Sequence, residues 1–305
     1  MKRAAIIVNP VKVDDLEEVR RTLCDAMADA GWSEPIWHET TAEDTGERQA
    51  RESAEAGADV VFACGGDGTV MACVTGLAGS GVPMGVLPVG TGNLLARNLD
   101  LPLDMAEAMQ VGLEGDDLAV DVGTFVVGGA RDEGRRFVVM AGVGFDAAMM
   151  ADAPEGLKAK VGWPAYVVSG AKHLRDRGVP LGVRVDGGEP VRRRAQAVII
   201  GNVGSLQAGV ELFPDARPDD GVLDVAIMAP NGLLDWARVL GRLALRRPRE
   251  DQRFERFRGR RIELKASRPM PVQLDGDPLD EARDVVVEVD PGALLVRVRA
   301  GAGAG

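Results

Sequence analysis

The chain has 305 residues, 46% of them hydrophobic and 27% charged, which is enough for about two folded domains with full-sized cores. Its net charge of −11 argues against general nucleic-acid binding, which needs a basic surface. The sequence contains no run of about 18 apolar residues, so no membrane-spanning helix is expected. The apolar run at the N-terminus is too short for a signal peptide. Three cysteines without a C-x-x-C pair indicate no disulfide framework. The expectation is therefore a cytoplasmic protein.

The first 124 residues alternate strand and helix patterns. Apolar runs at 4–8 and 58–63 predict buried strands, and apolar positions from Leu16 to Ala30 recur at helical spacing until Gly31. Further helices are predicted at 43–56, 70–78 and 94–99, with another strand before residue 90. Continuous apolar strands that alternate with helices predict a parallel α/β domain whose sheet is covered on both faces.

From about residue 125 to 290, short strand-like runs predominate. They lie at 136–142, 182–186, 195–202, 222–228, 261–266 and 284–290, and the segment VDGGEP at 185–190 is typical of a hairpin turn. Two helices are expected around 157–176 and 231–246. The pattern predicts a mostly antiparallel second domain, a β-sandwich, followed by a disordered tail at 301–305.

Two glycine-rich turns follow predicted strands of the first domain: GGDGT at 65–69 and GTGN at 90–93. Glycine lets the backbone approach a phosphate closely, and the N–H groups of a following helix face the anion. Asp67 would repel a bare phosphate, so a magnesium ion or a ribose hydroxyl is expected between them. The alternative is that Gly-Asp-Gly serves only as a strand-to-helix turn. Asn93 is a plausible helix cap.

Both loops, together with an Asn-Pro pair after the first strand, resemble the diacylglycerol kinase catalytic family. That family includes bacterial lipid kinases and sphingosine kinases, and NAD kinases share only the first loop. The resemblance implies an ATP site formed by Asn9, Pro10, Thr41, Gly65, Gly66, Asp67, Gly68, Thr69, Gly90, Thr91, Gly92 and Asn93. Thr40 is the alternative to Thr41, and a helix N-cap explains this threonine pair equally well.

The resemblance extends through the second half of the chain. FPDARPDDGVLDV at 213–225 is similar to a family segment in which Asp220, with backbone carbonyls near Arg217 and Val222, would hold a structural magnesium. QLDGDPLD at 273–280 resembles the family's D-G-E segment, which implies that Asp277 is the general base. The alternative for Asp275 and Asp277 is that DGD forms only a β-turn. The β-sandwich would carry this base and a lipid-binding cleft, ATP would lie between the domains, and a last strand at about 291–300 would return to the first domain.

Four positions depart from the family pattern. Met71 and Ala72 stand where the family has Asn and Glu, Leu94 replaces an acid, and Asp277 stands where Glu is usual. These changes remove side chains expected near the metal and the nucleotide. The two loops and the acids at 220 and 277 nevertheless occur together, which favours a divergent but active site.

The leading hypothesis is an ATP- and Mg-dependent lipid kinase acting on the free hydroxyl of diacylglycerol or a related lipid. The alternatives are a catalytically degenerate nucleotide- or lipid-binding protein and a soluble NAD-kinase-like enzyme. The arginine-rich segment 238–261 could contact an anionic membrane, which would place the protein peripherally at the inner membrane face. Its alternative is a packed helix with solvated arginines. A homodimer stays open.

Overall fold

The computed structural model describes residues 1–128, 134–144, 178–205, 212–230, 235 and 253–301. The chain divides into two compact units, Met1–Val122 with Pro291–Gly305, and Gly123–Asp290. The helices predicted around 157–176 and 231–246 lie outside the described residues, apart from Asp235. The same holds for the predicted tail beyond Gly301, whose own N–H donates to Asp116 at 2.8 Å. No helix in these described ranges is long and apolar enough to span a membrane.

The first unit is a parallel sheet with helices between its strands. The strands are β1 (Ala4–Val8), β2 (Ile36–Glu39), β3 (Val60–Gly65) and β4 (Met84–Pro88). The helices are α1 (Leu16–Asp29), α2 (Glu47–Glu55), α3 (Asp67–Leu77), α4 (Leu94–Asn98) and α5 (Met105–Glu114), with a short 3-10 turn η1 (Pro10–Lys12). β1 pairs in parallel with β2 and β3, and β3 pairs in parallel with β4. Every residue of β1, β3 and β4 is buried, as a sheet covered on both faces requires. The predicted parallel α/β fold is confirmed.

The helix limits follow from local capping. The side chain of Asp15 accepts the Glu18 N–H at the start of α1, and the chain leaves that helix through Gly31 at φ +75°. Helix α2 begins at residue 47 rather than 43, because residues 41–44 form a separate turn. Helix α5 was not predicted, although Asp104 caps it by accepting the Glu107 N–H at 3.0 Å.

The second unit is built from strands. These are β5 (Asp116–Val127), β6 (Arg135–Phe137), β7 (Met140–Gly144), β8 (Val179–Val185), β9 (Val191–Ala195), β10 (Ala197–Gly201), β11 (Leu223–Met228), β12 (Phe254–Gly259), β13 (Arg261–Leu274) and β14 (Asp277–Val298). The first residues of β5 and the last residues of β14 belong to the first unit, where Val296 pairs in parallel with Met84 of β4. Within the second unit, the described pairings are antiparallel, as predicted.

Two predicted strands of this unit are interrupted, and β5, β12 and most of β9 were not predicted. The run at 136–142 is split between β6 and β7, because the N–H groups of Val138 and Val139 bind the carboxylate of Asp275 instead of a neighbouring strand. The run at 195–202 is split between β9 and β10 at Gln196. Strand β12 lies in the second half of the arginine-rich segment 238–261, beyond the helix predicted around 231–246.

Candidate functional site

The two glycine loops lie side by side at the carboxyl ends of β3 and β4, with Gly65 paired to Pro88 in register. Their backbones touch: a Cβ on Gly90 would lie 2.7 Å from the Cα of Gly66. The Val89 N–H donates to the carbonyl of Gly65 at 3.2 Å. Glycine is therefore required at this contact. The two loops are adjacent, as the sequence predicts.

Asp67 joins the first loop to the second. Its Oδ1 accepts the Leu94 N–H at 2.6 Å and its Oδ2 accepts the Asn93 N–H at 3.0 Å. A Cβ on Gly92 would come within 2.5 Å of the same Oδ2. Both carboxylate oxygens thus cap the N-terminus of α4, which is where a negative charge is stabilised. That Asp67 also faces a metal–nucleotide complex stays a prediction.

Asn93 occupies the N-cap position of α4, but its side chain does not cap the helix. Its backbone is left-handed, at φ 47°, and its side chain turns back to Gly90 instead. Asn93 Oδ1 accepts the Gly90 N–H at 3.2 Å, and Nδ2 donates to the Gly90 carbonyl at 2.8 Å. These two bonds fix the conformation of the second loop, in which Thr91 is exposed at the tip.

Helix α3, in contrast, starts without any side-chain cap. Its N-cap residue is Gly66, and its first backbone bond runs from the Val70 N–H to the Gly66 carbonyl at 3.1 Å. The N–H groups of the first turn, at Asp67, Gly68 and Thr69, precede that bond and have no acceptor within the helix. An uncapped helix start beside two glycine loops offers free backbone N–H donors, the chemistry that anions favour, and phosphate binding here stays a prediction.

Asn9 and Pro10 lie at the same sheet edge. Asn9 donates its backbone N–H to the Cys64 carbonyl at 2.9 Å, and its Nδ2 lies 3.4 Å from Thr69 Oγ1. Its Oδ1 accepts the Val11 N–H at 3.1 Å, and Pro10 is the first residue of η1. The end of β1 is therefore connected to the first glycine loop.

The threonine pair after β2 is divided between two roles. Thr40 is buried and donates its N–H to the Val8 carbonyl at 2.8 Å. Thr41 is exposed, and its Oγ1 accepts the N–H groups of Glu43 and Asp44 at 3.2 and 3.1 Å. Thr41 thus caps a turn rather than a helix, because the cap of α2 is Gly46. A nucleotide contact of Thr41 stays a prediction.

Sequence reasoning missed one cation beside the second loop. Arg97, on α4, donates from Nε to the Gly92 carbonyl at 2.9 Å. Its side chain is exposed, so the remaining N–H groups of the guanidinium face solvent. The signal in the sequence was the position of Arg97 five residues after Gly92, because a long side chain on the following helix can reach back to the loop.

The unusual residues around the loops are accommodated by packing. The side chain of Leu94 is buried, with 4% of its surface exposed, while its N–H binds Asp67. Met71 and Ala72 are half-buried on α3. Apolar side chains thus pack at these three positions, where the resemblance predicts polar ones. Leu94 also binds Asp67 through its backbone N–H.

In the second unit, the DGD segment is a two-residue hairpin turn between β13 and β14. Leu274 pairs with Asp277, and both Asp275 (φ 49°) and Gly276 (φ 95°) have the positive φ of a type I′ turn. The carboxylate of Asp275 accepts the N–H groups of Val138, Val139 and Met140 at 2.9, 2.9 and 2.6 Å. This anchored turn presents Asp277, the first residue of β14, at an exposed position.

In the segment 213–225, where a magnesium ion was expected, two carboxylates contact an arginine of a neighbouring strand. Asp220 accepts the Val222 N–H at 3.2 Å through Oδ1, and its Oδ2 is hydrogen-bonded to Arg258. Arg258 also lies 3.3 Å from the buried Asp224, directly across the β11–β12 pair. Arg217, the third residue of the expected site region, pairs with Asp219 at 3.3 Å.

The charges of Asp220 and Asp224 stabilise the ionised guanidinium of Arg258. Burial raises the pKa of Asp224, an effect that the charge of Arg258 opposes. Burial tends to lower the pKa of Arg258, but Asp224 and Asp220 outweigh it and the net direction is upward. Within the described ranges, no group of three His, Cys, Asp or Glu side chains is arranged so that it could hold a metal ion. The carboxylate of Asp220 thus has Arg258 as its counter-ion in this arrangement, and the structural metal stays a prediction.

Other arginines at the end of the arginine-rich segment are also paired. Arg253 lies 3.0 Å from Asp235, and Arg261 contacts Glu263 at 3.1 Å and Glu288. Arginines 238–249 lie outside the described residues. Arg253, Arg258 and Arg261 therefore neutralise acids of the same chain.

Parallel strands that end in paired glycine loops, an uncapped helix start and an antiparallel second unit indicate a two-domain kinase. Residues 3–125 match the diacylglycerol kinase catalytic domain, and residues 137–298 match the YegS C-terminal NAD kinase beta sandwich-like domain. The chain belongs to this YegS- and diacylglycerol kinase-like family of lipid kinases. The family suggested by its motifs is confirmed.

Relatives cover almost the whole chain. A Pseudomonas fluorescens protein named as a probable lipid kinase, YegS-like, is 33% identical over 97% of this chain and 96% of its own length. A diacylglycerol kinase of Bacillus subtilis is 29% identical over 91% of this chain and 90% of its own.

Solved structures share the fold. A diacylglycerol kinase structure from Bacillus anthracis has a TM-score of 0.71 at 20% identity and covers 98% of this chain and 97% of its own. An ATP-bound NAD kinase from Archaeoglobus fulgidus has a TM-score of 0.53 at 15% identity and covers 97% and 94%. These likenesses confirm the two-domain α/β and β-sandwich fold class.

Proposed function

We propose that this lipid kinase transfers the γ-phosphoryl group of Mg-ATP to the free hydroxyl of diacylglycerol or a related lipid. One observation supports the nucleotide part above all: the uncapped start of α3 lies beside the Gly66–Gly90 contact, while Asp67 closes the start of α4. One helix terminus is thus left open for phosphate and the other is filled. The backbone N–H groups of Gly68 and Thr69 would hold the phosphates.

Asp277 is the proposed general base. In the transfer, its carboxylate would take the proton of the lipid hydroxyl while that oxygen forms a bond to the γ-phosphorus and the bond to the ADP oxygen breaks. The exposed position of Asp277 and the rigid turn fixed by Asp275 support this role. Mg²⁺ that arrives with ATP would neutralise charge on the phosphates. The chain's own contribution is to position the phosphates and the hydroxyl.

The decisive experiment follows labelled γ-phosphate from ATP into a panel of purified lipids, with diacylglycerol included. Asp277→Asn should lower transfer by about 10²-fold or more while ATP binding is kept, because the amide keeps the size of the side chain but cannot accept the proton. Asp280→Asn, on the same strand and also exposed, is the matched control and should keep wild-type activity. Full activity in Asp277→Asn would show that another group is the base.

The same experiment separates the two alternatives. Tight Mg-ATP binding without transfer to any lipid would indicate a degenerate binding protein, which the residues Met71, Ala72 and Leu94 favour. Transfer to NAD instead of lipid would indicate an NAD-kinase-like enzyme. Wild-type transfer to a lipid, abolished only in Asp277→Asn, supports the proposal.

Two further proposals concern where the enzyme acts. A lipid substrate requires contact with a membrane, and arginines 238–249 are the candidates for peripheral contact at the inner face. Of the described arginines that follow, Arg253, Arg258 and Arg261 pair with acids. Flotation with anionic and neutral vesicles tests the membrane contact, which should disappear in a variant with glutamine at arginines 238–249. Light scattering of the purified chain tests the homodimer.

A further inference from the structure

The outer face of β8, β9 and β13 carries an unusual set of charges for an acidic protein. Leu181 and Val183 of β8 point into the core, so Gly182 and Arg184 between and beyond them point outward. Arg192 of β9 lies opposite Gly182, and Gly182 lies opposite Lys265 of β13. Residues opposite each other share one face of a sheet, so a row of two cations flanks a residue without a side chain.

Arg194 adds a third cation on the same face, two residues beyond Arg192. The side chains of Arg192, Arg194 and Lys265 have no hydrogen-bond or ion-pair partner within the part of the chain that the structure describes. The neighbouring arginines are compensated. Arg184 lies 3.3 Å from Glu263, and Arg193 forms a two-pronged bond with Glu255 at 2.6 and 3.0 Å.

The three cations border a groove. Its volume is about 630 Å³, and Pro180, Pro190, Gly182 and Ser267 contribute to its lining. A Cβ on Gly182 would find no atom nearer than the Cγ of Arg192 at 3.9 Å, so the floor is open above this glycine. On the next strand the residue opposite Lys265 is Asp284, where the cationic row ends. The groove thus combines two prolines with a mainly cationic border, and its acid, Glu263, is paired with Arg184.

We propose that this groove binds a phosphate ester with an apolar body. Arg192 and Arg194 would hold the phosphate oxygens through their planar donor groups, Lys265 would add a third charge, and the apolar part would lie against the two prolines. The chain carries a net charge of −11, so attraction of an anion to this face is local and cannot come from the overall charge. The site uses none of the loops assigned to ATP, and it stands whether or not the proposed transfer occurs.

The test measures binding of hexyl phosphate and of inorganic phosphate by calorimetry, and binding to vesicles of phosphatidic acid in phosphatidylcholine by sedimentation. Arg192→Gln with Arg194→Gln should weaken binding about tenfold or more, the loss of at least one charge-assisted hydrogen bond. Gly182→Leu should block the groove with the charges kept. Arg3→Gln with Arg21→Gln removes two exposed charges elsewhere and should leave binding unchanged.

The arms distinguish the source of the phosphate. Saturable hexyl phosphate binding that exceeds inorganic phosphate binding, and that is lost in both groove variants, supports a soluble ester. Binding only to phosphatidic acid vesicles, lost in the same variants, supports a lipid head group. The proposal is overturned if no probe binds, if the groove variants bind like wild type, or if the Arg3/Arg21 variant loses binding equally. The double arginine variant changes only solvent-facing side chains, so it remains informative if Gly182→Leu does not fold.

Discussion

The Leu94 N–H donates to the carboxylate of Asp67 across 2.6 Å, although 27 residues separate them in the chain. With the Asn93 N–H, this bond gives α4 its cap from a different loop. The acid in the first glycine loop therefore has a structural role: it holds the second loop against the first. The negative charge of Asp67 interacts with the N-terminus of α4, while the N-terminus of α3 has no side-chain cap.

Asp67→Ala should therefore affect both stability and nucleotide binding. Loss of the cap should cost about 1 to 2 kcal/mol of unfolding free energy, and ATP affinity should fall several-fold because the second loop loses its attachment. Denaturant unfolding and calorimetry with Mg-ATP measure the two effects. Asp104→Ala is the control, because Asp104 caps α5 in the same way. It should cost similar stability and leave ATP affinity unchanged, and equal loss of ATP affinity in both variants would contradict the bridge.

Arg97→Gln tests whether the cation above the second loop contacts the nucleotide. Its Nε bond to Gly92 leaves other donors exposed, so we expect the KM for ATP to rise about tenfold, the loss of one charge-assisted hydrogen bond. The melting temperature should change little, because the side chain is exposed. Arg51→Gln, which breaks an exposed pair with Glu47 on α2, is the control and should change neither quantity. An unchanged KM in Arg97→Gln would exclude the contact.

Sequence patterns were sufficient where the physics is local. β1, β3 and β4 are continuous apolar runs because both faces of a parallel strand are buried, and this made them recognisable. The DGD and VDGGEP turns were equally clear, since Asp275 and Asp186 both take the positive φ that such turns need. Helix α5 was missed despite its Asp104 cap, so that failure lay in the interpretation and not in the sequence.

Contacts between distant segments could not be predicted. The break between β6 and β7 depends on Asp275, which is 137 residues from Val138. The pairing of Arg258 with Asp220 joins residues 38 apart, and a motif that places a metal at Asp220 contains no information about that partner. Residue types and spacing identified the loops and the acids. Which atoms satisfy these acids depends on tertiary contacts, such as the β11–β12 pairing that places Arg258 opposite Asp224.

The cysteines provide a probe of the first loop. Burial raises the pKa of both Cys64, which lies just before the loop, and Cys73, on α3, to about 12. At pH 8 only about one thiol in ten thousand is then ionised, so iodoacetamide should not label them in the folded protein. The half-buried Cys24 should react first. Mass spectrometry of labelled peptides checks this order, and rapid labelling of Cys73 without denaturant would show that α3 opens.

Arg258→Met tests whether a guanidinium supplies the positive charge at Asp220 and Asp224. Removing it leaves two uncompensated acids, so we expect a loss of about 1 to 2 kcal/mol in unfolding free energy for this partly exposed cluster. Arg51→Met, at an exposed helical pair, should cost at most about 0.5 kcal/mol. Without ATP, the melting temperature of the wild type should be the same in EDTA and in Mg²⁺, because Arg258 already holds the carboxylates. The variant should instead be stabilised by Mg²⁺, since the freed oxygens are the ligands that this ion prefers. A wild-type melting temperature that falls in EDTA would show that a metal, and not Arg258, is the counter-ion at Asp220.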